Sequence, residues 1–482
     1  MTRILFVGAE VMPFAATGGL GDVLGSLPAA LAKDSDNDVR VVMPLYSAIG
    51  LEWRRQMKTE AVFEVKLSWR RKYCGVLSLR RDDVTYYFID NEYYFKRDSL
   101  YGSYDDAERF AFFCMAVPEL MQQVGFYPDV MHANDWQAAL SVVYLKNLYS
   151  WRAEYSHIKT VFTIHNIEYQ GQYDFAILGD VFGLSEWTHG LMDWNGCINL
   201  MKAAIVSADR VTTVSPKYAQ EILTDGHGLE SVLCQQSCKL TGILNGIDYN
   251  YYNPETDPAL YLNYSAADPS GKTGDKLALE EELSLPAEAD VPTLAIISRL
   301  ASHKGLDLVC EIAYNLIDEL DCRLIVLGKG ESRYEDFFRR LESDRHDRVR
   351  ALIQYDRELS RRIYAGADVF VMPSRREPCG LSQMIASRYG AIPVVRETGG
   401  LYDSIKGYWE QDGELHGNGF TFANYSSHEL YDRIRAALEL WRDAGRRERF
   451  VRKIMNIDFS WGASAARYQQ LYRELTAEKG DI

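Results

Sequence analysis

The chain has 482 residues, 47% of them apolar and 25% charged, with a formal net charge of −15. That length exceeds what one hydrophobic core holds and calls for two or three domains. The acidic balance argues against a nucleic-acid partner, and no apolar stretch approaches a membrane span. Behind Met1-Thr2-Arg3 there is no signal-peptide core, and the eight cysteines contain no C-x-x-C pair. The expected setting is therefore the cytoplasm, with reduced thiols, and Cys234 and Cys238 are read as sharing one helix face.

The first apolar run, 4–8, reads as a strand and 22–32 as an amphipathic helix. Between them lies the turn Ala16-Thr17-Gly18-Gly19-Leu20-Gly21. Its glycines let a backbone come close to a ligand, and the helix start behind it offers unpaired N–H groups and the positive dipole end to an anion. The same glycines would also serve a turn that only packs helix on strand. No lysine or arginine stands in it. The acidic string Asp34-Ser35-Asp36-Asn37-Asp38 has Val39 and Leu45 where a calcium loop requires Gly and Glu, so it is read as a surface turn and no metal site is expected.

Further buried strands are read at 39–43, 85–89, 130–132, 159–164 and 210–214, with a helix at 106–124. The alternation breaks between Asn245 and about Pro292, where Asn, Asp, Pro, Tyr and Gly concentrate. It resumes with strands at 293–297, 323–327, 349–353, 369–372 and 392–395. Strands alternating with helices imply parallel, doubly wound sheets. The expected domains are 1–248 and 249–458, facing across a cleft, followed by a terminal segment 459–482. Ligands are expected outside the carboxyl ends of the strands.

After the strand at 293–297 come Ser298, Arg299, His303, Lys304 and Gly305. Arg299 and Lys304 can clamp a diphosphate, each charge-assisted bond contributing about 1.5–3 kcal/mol, or can be solvated surface charges. After the strand at 369–372, Glu377 precedes the backbone N–H groups of Cys379, Gly380 and Leu381, a cradle for sugar hydroxyls and phosphate oxygens. Glu377 could instead cap the following helix, expected to begin near Gly380. Thr398-Gly399-Gly400 supplies another close-approach turn into a helix.

Several strings together resemble the bacterial glycogen synthases and plant starch synthases. They are Thr17-Gly-Gly-Leu-Gly-Asp-Val, His132-Ala-Asn-Asp-Trp-Gln, Phe162-Thr-Ile-His-Asn-Ile-Glu-Tyr-Gln-Gly, Thr212-Thr-Val-Ser-Pro, Gly242-Ile-Leu-Asn-Gly-Ile-Asp, Ser298-Arg-Leu, Lys304-Gly-Leu-Asp, Pro373-Ser-Arg-Arg-Glu-Pro-Cys-Gly-Leu and Phe459-Ser-Trp. Related transferases that use other nucleotide sugars carry a second glutamate where this chain has Ile385, which places it nearer the synthases. The resemblance implies a GT-B fold and retaining transfer of glucose from ADP-glucose to the non-reducing 4-hydroxyl of an α-1,4-glucan, with ADP as product and no cofactor or metal.

By the same resemblance, His165, Arg299, Lys304 and Glu377 are the catalytic residues. The donor contacts fall at Ala16, Gly18, Gly19, Asn245, Tyr355 (stacked on adenine), Cys379, Gly380, Leu381, Thr398, Gly399 and Gly400. Glu10, Tyr93, Asp135 and Trp136 match glucan-contacting positions. The terminal segment is expected to return to the first domain as a helix.

The chain departs from the family at Ala16, where most members carry a lysine, and at Arg376, where they have an aromatic residue. One lost charge-assisted contact corresponds to roughly tenfold to a hundred-and-fifty-fold in rate. Reduced or compensated activity is expected, with Arg376 as the candidate compensating cation. Three alternatives stay open: a glucan-binding homologue of weak activity, a UDP-glucose-using transferase, and a dinucleotide oxidoreductase suggested by Gly19-Leu20-Gly21. The glycines stand about ten residues beyond the strand end, which disfavours the oxidoreductase.

Overall fold

The structure, a computed structural model, describes residues 1–477. It forms two compact units, Met1–Gly246 together with the described residues from Trp461 onward, and Ile247–Ser460. The last part of the expected terminal segment, 478–482, lies outside the described residues.

The first unit is built on a nine-stranded sheet. From one edge to the other the strands are Leu240–Gly242, Arg210–Thr213, Lys159–Ile164, Val130–Asn134, Thr2–Val7, Asn37–Pro44, Val84–Asp90, Arg70–Arg81 and Lys58–Leu67. The first seven run parallel, and the last two form an antiparallel hairpin on that edge. The central strands are apolar because helices cover both faces: Ile4, Leu5, Phe6 and Val7 have no exposed surface. Helix Asp106–Gln123 buries Phe110, Phe112, Phe113 and Leu120 in this core.

Helix Trp461–Ala477 packs on Gly19–Ala32 of the first unit. Two buried polar contacts fix it there. Asn37 Nδ2 donates to Gln469 Oε1 at 2.8 Å, and the Tyr472 hydroxyl lies 2.6 Å from His132 Nδ1. His132 also meets Thr163 Oγ1 at 2.5 Å, and burial lowers its pKa to about 3, so this motif histidine ties core to terminal helix as a neutral ring.

The second unit carries a six-stranded parallel sheet in the order Val349–Leu352, Arg323–Leu327, Thr293–Ile297, Val369–Met372, Ile392–Arg396, Phe420–Phe422. Numbered by sequence this is 3-2-1-4-5-6, the dinucleotide-binding order, whose switch point falls between the first and fourth strands. Leu306–Leu320 and Ser427–Arg442 pack their apolar faces on this sheet. The segment expected to be irregular contains one helix, Gly271–Glu282, which drives Lys272 inward to donate to Ala365 O, Ala367 O and Tyr389 O at 2.7, 2.7 and 3.1 Å.

Cys234 and Cys238 do not share one continuous helix. The α-helix Glu230–Gln235 ends between them and Ser237–Lys239 is a separate 3-10 turn, with both thiols exposed. Among the described residues no helix is long and apolar enough to cross a membrane.

Candidate active site

In the first unit the switch point lies between Thr2–Val7 and Val130–Asn134, since the chain leaves the former toward one edge and later returns along its other side. Glu10, Asp135 and His165 all follow the carboxyl ends of central strands there. Glu10 is only 5% exposed, and its carboxylate accepts from Thr17 N at 2.6 Å, Thr17 Oγ1 at 2.8 Å, Gly18 N at 3.0 Å and the Tyr101 hydroxyl at 2.6 Å. The glycine turn is therefore held by an internal carboxylate that occupies N–H groups an anion would need. This makes the turn a poorer phosphate cradle than its glycines suggest.

The glycines of the turn have different reasons. A Cβ on Gly21 would stand 2.2 Å from Ala16 Cβ, so Gly21 makes room for position 16. A Cβ on Gly18 or Gly19 would meet nothing within 4 Å, so packing inside the chain does not demand glycine at either position. Gly18 is the N-cap of helix Gly19–Ala32, a position glycine suits.

Asp135 caps helix Trp136–Tyr144 with φ 57° and ψ 177°, a region nearly reserved for glycine. Its Oδ1 accepts the His165 backbone N–H at 2.8 Å. Burial nevertheless pushes its carboxyl up to about 7, with the Glu10 charge adding to the rise. The His165 ring Nε2 lies 2.9 Å from Asn134 Oδ1, and burial lowers the ring's pKa to about 3, so the imidazole is neutral at physiological pH. Trp136 is wedged edge-on against Phe110 at 5.3 Å.

Tyr93 follows the strand Val84–Asp90 of the same sheet. It is 63% exposed, lies under Lys72 Nζ at 4.3 Å, and lines an open pocket of about 360 Å³ with Trp69, Arg70 and Glu108. Asn245 is buried, and its Oδ1 has no hydrogen-bond partner among the described residues.

In the second unit the loops after the first and fourth strands meet at the switch point. Arg375 N donates to His303 O at 2.8 Å, and a Cβ on Gly305 would strike Pro373 O at 2.0 Å. Gly305, at φ 71°, is the N-cap of Leu306–Leu320, which it could not be with a side chain in this contact. Lys304 Nζ reaches Glu377 Oε2 at 2.6 Å, and the Ser374 hydroxyl donates to the same oxygen at 2.9 Å. Glu377 therefore holds the lysine and does not cap the helix, which begins later than expected, at Ser382. Arg299 is exposed and forms no ion pair among the described residues.

Gly399 and Gly400 are required by the chain itself. Their Cβ positions fall 2.0 Å from Glu377 O and Cys379 O respectively, and Gly400 N donates to Glu377 O at 3.1 Å. Helix Gly399–Ser404, with Thr398 as its N-cap, thus buttresses the Glu377–Leu381 loop. Tyr355 follows the edge strand Val349–Leu352 with 82% of its surface exposed. Sequence reading missed Asn134, Ser374 and Tyr101. Each is an uncharged residue whose role depends on a contact distant in the chain or on rotamer. Among the described residues no group of three or more His, Cys, Asp or Glu is placed to hold a metal.

Two Rossmann-like units with polar groups gathered at their switch points define a glycosyltransferase of the GT-B class. The catalytic domain of starch synthase IV from Arabidopsis thaliana bound to ADP and acarbose matches with a TM-score of 0.91 and 35% identity over 99% of both chains. Sucrose-phosphate synthase from Thermosynechococcus elongatus shares the fold, with a TM-score of 0.61 at 18% identity over 99% of this chain and 100% of that one. The family described as Starch synthase catalytic domain matches residues 3–235, and Glycosyl transferases group 1 matches residues 280–455. Glycogen synthase of Ligilactobacillus salivarius is 46% identical over 98% of this chain and 100% of its own, and that of Bacillus subtilis 45% over 100% and 99%. The chain belongs to the glycogen synthase and starch synthase family.

Proposed function

We propose that this chain transfers glucose from ADP-glucose to the non-reducing 4-hydroxyl of an α-1,4-glucan with retention, in the cytoplasm and without metal or cofactor. The observation that carries the reading is the Lys304–Glu377 pair at the switch point of the second unit. Breaking the bond from the sugar to a diphosphate puts positive charge on the ring and negative charge on the leaving group. Arg299 and Lys304 meet the negative charge at a strand end, where a nucleotide-sugar diphosphate docks in this fold. Glu377 keeps the lysine oriented and is available to the sugar.

His165, neutral, contributes a dipole and a hydrogen bond without a charge. The eight free thiols suit a reducing compartment. One observation favours the weaker, glucan-binding reading: the glycine turn carries Glu10 and no cation. Glucose incorporation into glycogen, with ADP-glucose and UDP-glucose as parallel donors and excess EDTA as a third arm, decides. The expected result is chelator-insensitive transfer from ADP-glucose; preference for UDP-glucose defeats the donor assignment, and glycogen binding without transfer from either defeats the enzyme reading.

A further inference from the structure

We propose that Asn134 is a positioning residue that locks the His165 ring in its Nε2–H tautomer, leaving Nδ1 as a hydrogen-bond acceptor for a sugar hydroxyl. The inference rests on the reading above in that His165 is taken to contact the sugar.

Asn134 closes the strand Val130–Asn134 and is 1% exposed. Its Nδ2 lies 3.3 Å from Val7 O and 3.1 Å from His132 O. Both neighbours are carbonyl oxygens, pure acceptors, so the amide cannot turn over without setting oxygen against oxygen twice. Its Oδ1 is thereby fixed toward His165 Nε2 at 2.9 Å. A carbonyl oxygen only accepts, so Nε2 must carry the proton. A neutral imidazole has one N–H, and Nδ1 then keeps its lone pair.

The surroundings favour neutrality. Asn134 brings no charge to the ring, and the Asp135 carboxylate is turned to the His165 backbone N–H. His132 on the neighbouring strand is itself buried and held by Tyr472 and Thr163. The Tyr218 hydroxyl is engaged by Ile167 N, and Glu10 is turned to Thr17, Gly18 and Tyr101. Among the described residues Nδ1 has no hydrogen-bond partner. A bare lone pair accepts a hydroxyl hydrogen and cannot donate to a phosphate oxygen. On this reading His165 meets a hydroxyl and takes no part in holding a phosphate.

The test uses the full chain labelled with 15N-histidine, the His165 ring signals being identified by their loss in His165→Gln. Ring nitrogen shifts recorded from mildly acidic to mildly alkaline pH are expected to show one neutral Nε2–H form throughout. An Nδ1–H form, a mixture of tautomers or a charged ring at neutral pH overturns the inference. In Asn134→Asp the added carboxylate raises the ring's affinity for a proton, so kcat/KM is expected to fall as pH is lowered and to recover as pH rises, a dependence the wild type lacks. Asn134→Ser, too short to reach, is expected to give mixed tautomers and a loss that does not vary with pH, and it carries the comparison if the aspartate variant melts early. A wild-type ring spectrum and pH profile in both variants overturns the role of Asn134. Altered ring spectra with unchanged kcat/KM support the lock and overturn instead the reading that His165 meets the sugar.

Discussion

Lys304 and Glu377, 73 residues apart in sequence, form an ion pair at 2.6 Å with side chains only 15% and 9% exposed. The pair joins the loops that leave the first and fourth strands of the second sheet, so a cation and a carboxylate from two distant stretches of chain are placed by one contact. Removing one partner strands the other charge in a site that is mostly desolvated. Lys304→Met and Glu377→Gln are each expected to destabilise by about 1–3 kcal/mol and to lower kcat/KM by tenfold or more. The double variant should regain part of the stability and none of the activity. Calorimetry and initial rates on the four proteins of the cycle check this; additive losses in stability would show the pair is not coupled.

Ala16 sits against Gly21 and beside the Glu10 carboxylate, in a turn that carries no cation. Ala16 is partly exposed, which leaves a longer side chain a route outward. Ala16→Lys restores the residue that the family resemblance implies and places a charge where Glu10 now acts alone. Initial rates with ADP-glucose are expected to rise by about tenfold. Unchanged rates would mean that the present cations already meet the full charge of the leaving group.

Tyr355 projects from the second unit with most of its ring exposed. If it stacks on the nucleobase, Tyr355→Ala should raise KM for ADP-glucose by about tenfold with little change in kcat, because ground and transition states share that contact. Tyr355→Phe should behave as wild type. Steady-state kinetics on both variants separates stacking from any role of the hydroxyl.

Most parallel strands were legible because they are buried on both faces and read as unbroken apolar runs, Ile4 to Val7 being the clearest. The three-residue edge strands Leu240–Gly242 and Phe420–Phe422 are too short to show one. The hairpin Lys58–Leu67 and Arg70–Arg81 was not legible either: the first strand is the sheet edge and alternates exposed with partly or fully buried residues, and the second bounds its buried middle with charged residues at both ends. Arg299, Lys304, Glu377 and His165 could be picked out because charge and position after a strand mark them. Glu10 was picked out for a glucan contact; that it also holds the glycine turn is set by four hydrogen bonds that no spacing announces. Gly399 and Gly400 were read as ligand-approach glycines, and backbone oxygens of the Glu377 loop give them a reason of their own. The sequence shows that a glycine is needed, and only the packing shows by what.

Asp135 offers a prediction in which stability and pH are linked. Its carboxyl is pushed from an ordinary 3.8 up to about 7, first by burial. Between those values the folded chain keeps a proton that the unfolded chain has lost, so stability falls as pH rises from about 4 to 7 and is level above that window. Asp135→Asn keeps the shape, still accepts the His165 N–H, and removes the titration. Its urea midpoint should therefore be less sensitive to pH across the window, and at about pH 8 it should exceed wild type by an amount on the order of 2 kcal/mol. Asp135→Gly adds relief of the φ 57° backbone, a strain of about 1–3 kcal/mol, at the cost of the hydrogen bond to His165. Urea unfolding of the three proteins at about pH 5 and pH 8 checks both effects, and wild type and Asp135→Asn sharing one pH slope would place the proton elsewhere. A gain in stability with a loss of transfer would mark Asp135 as a position where the fold tolerates a strained, ill-solvated carboxyl because the site uses it.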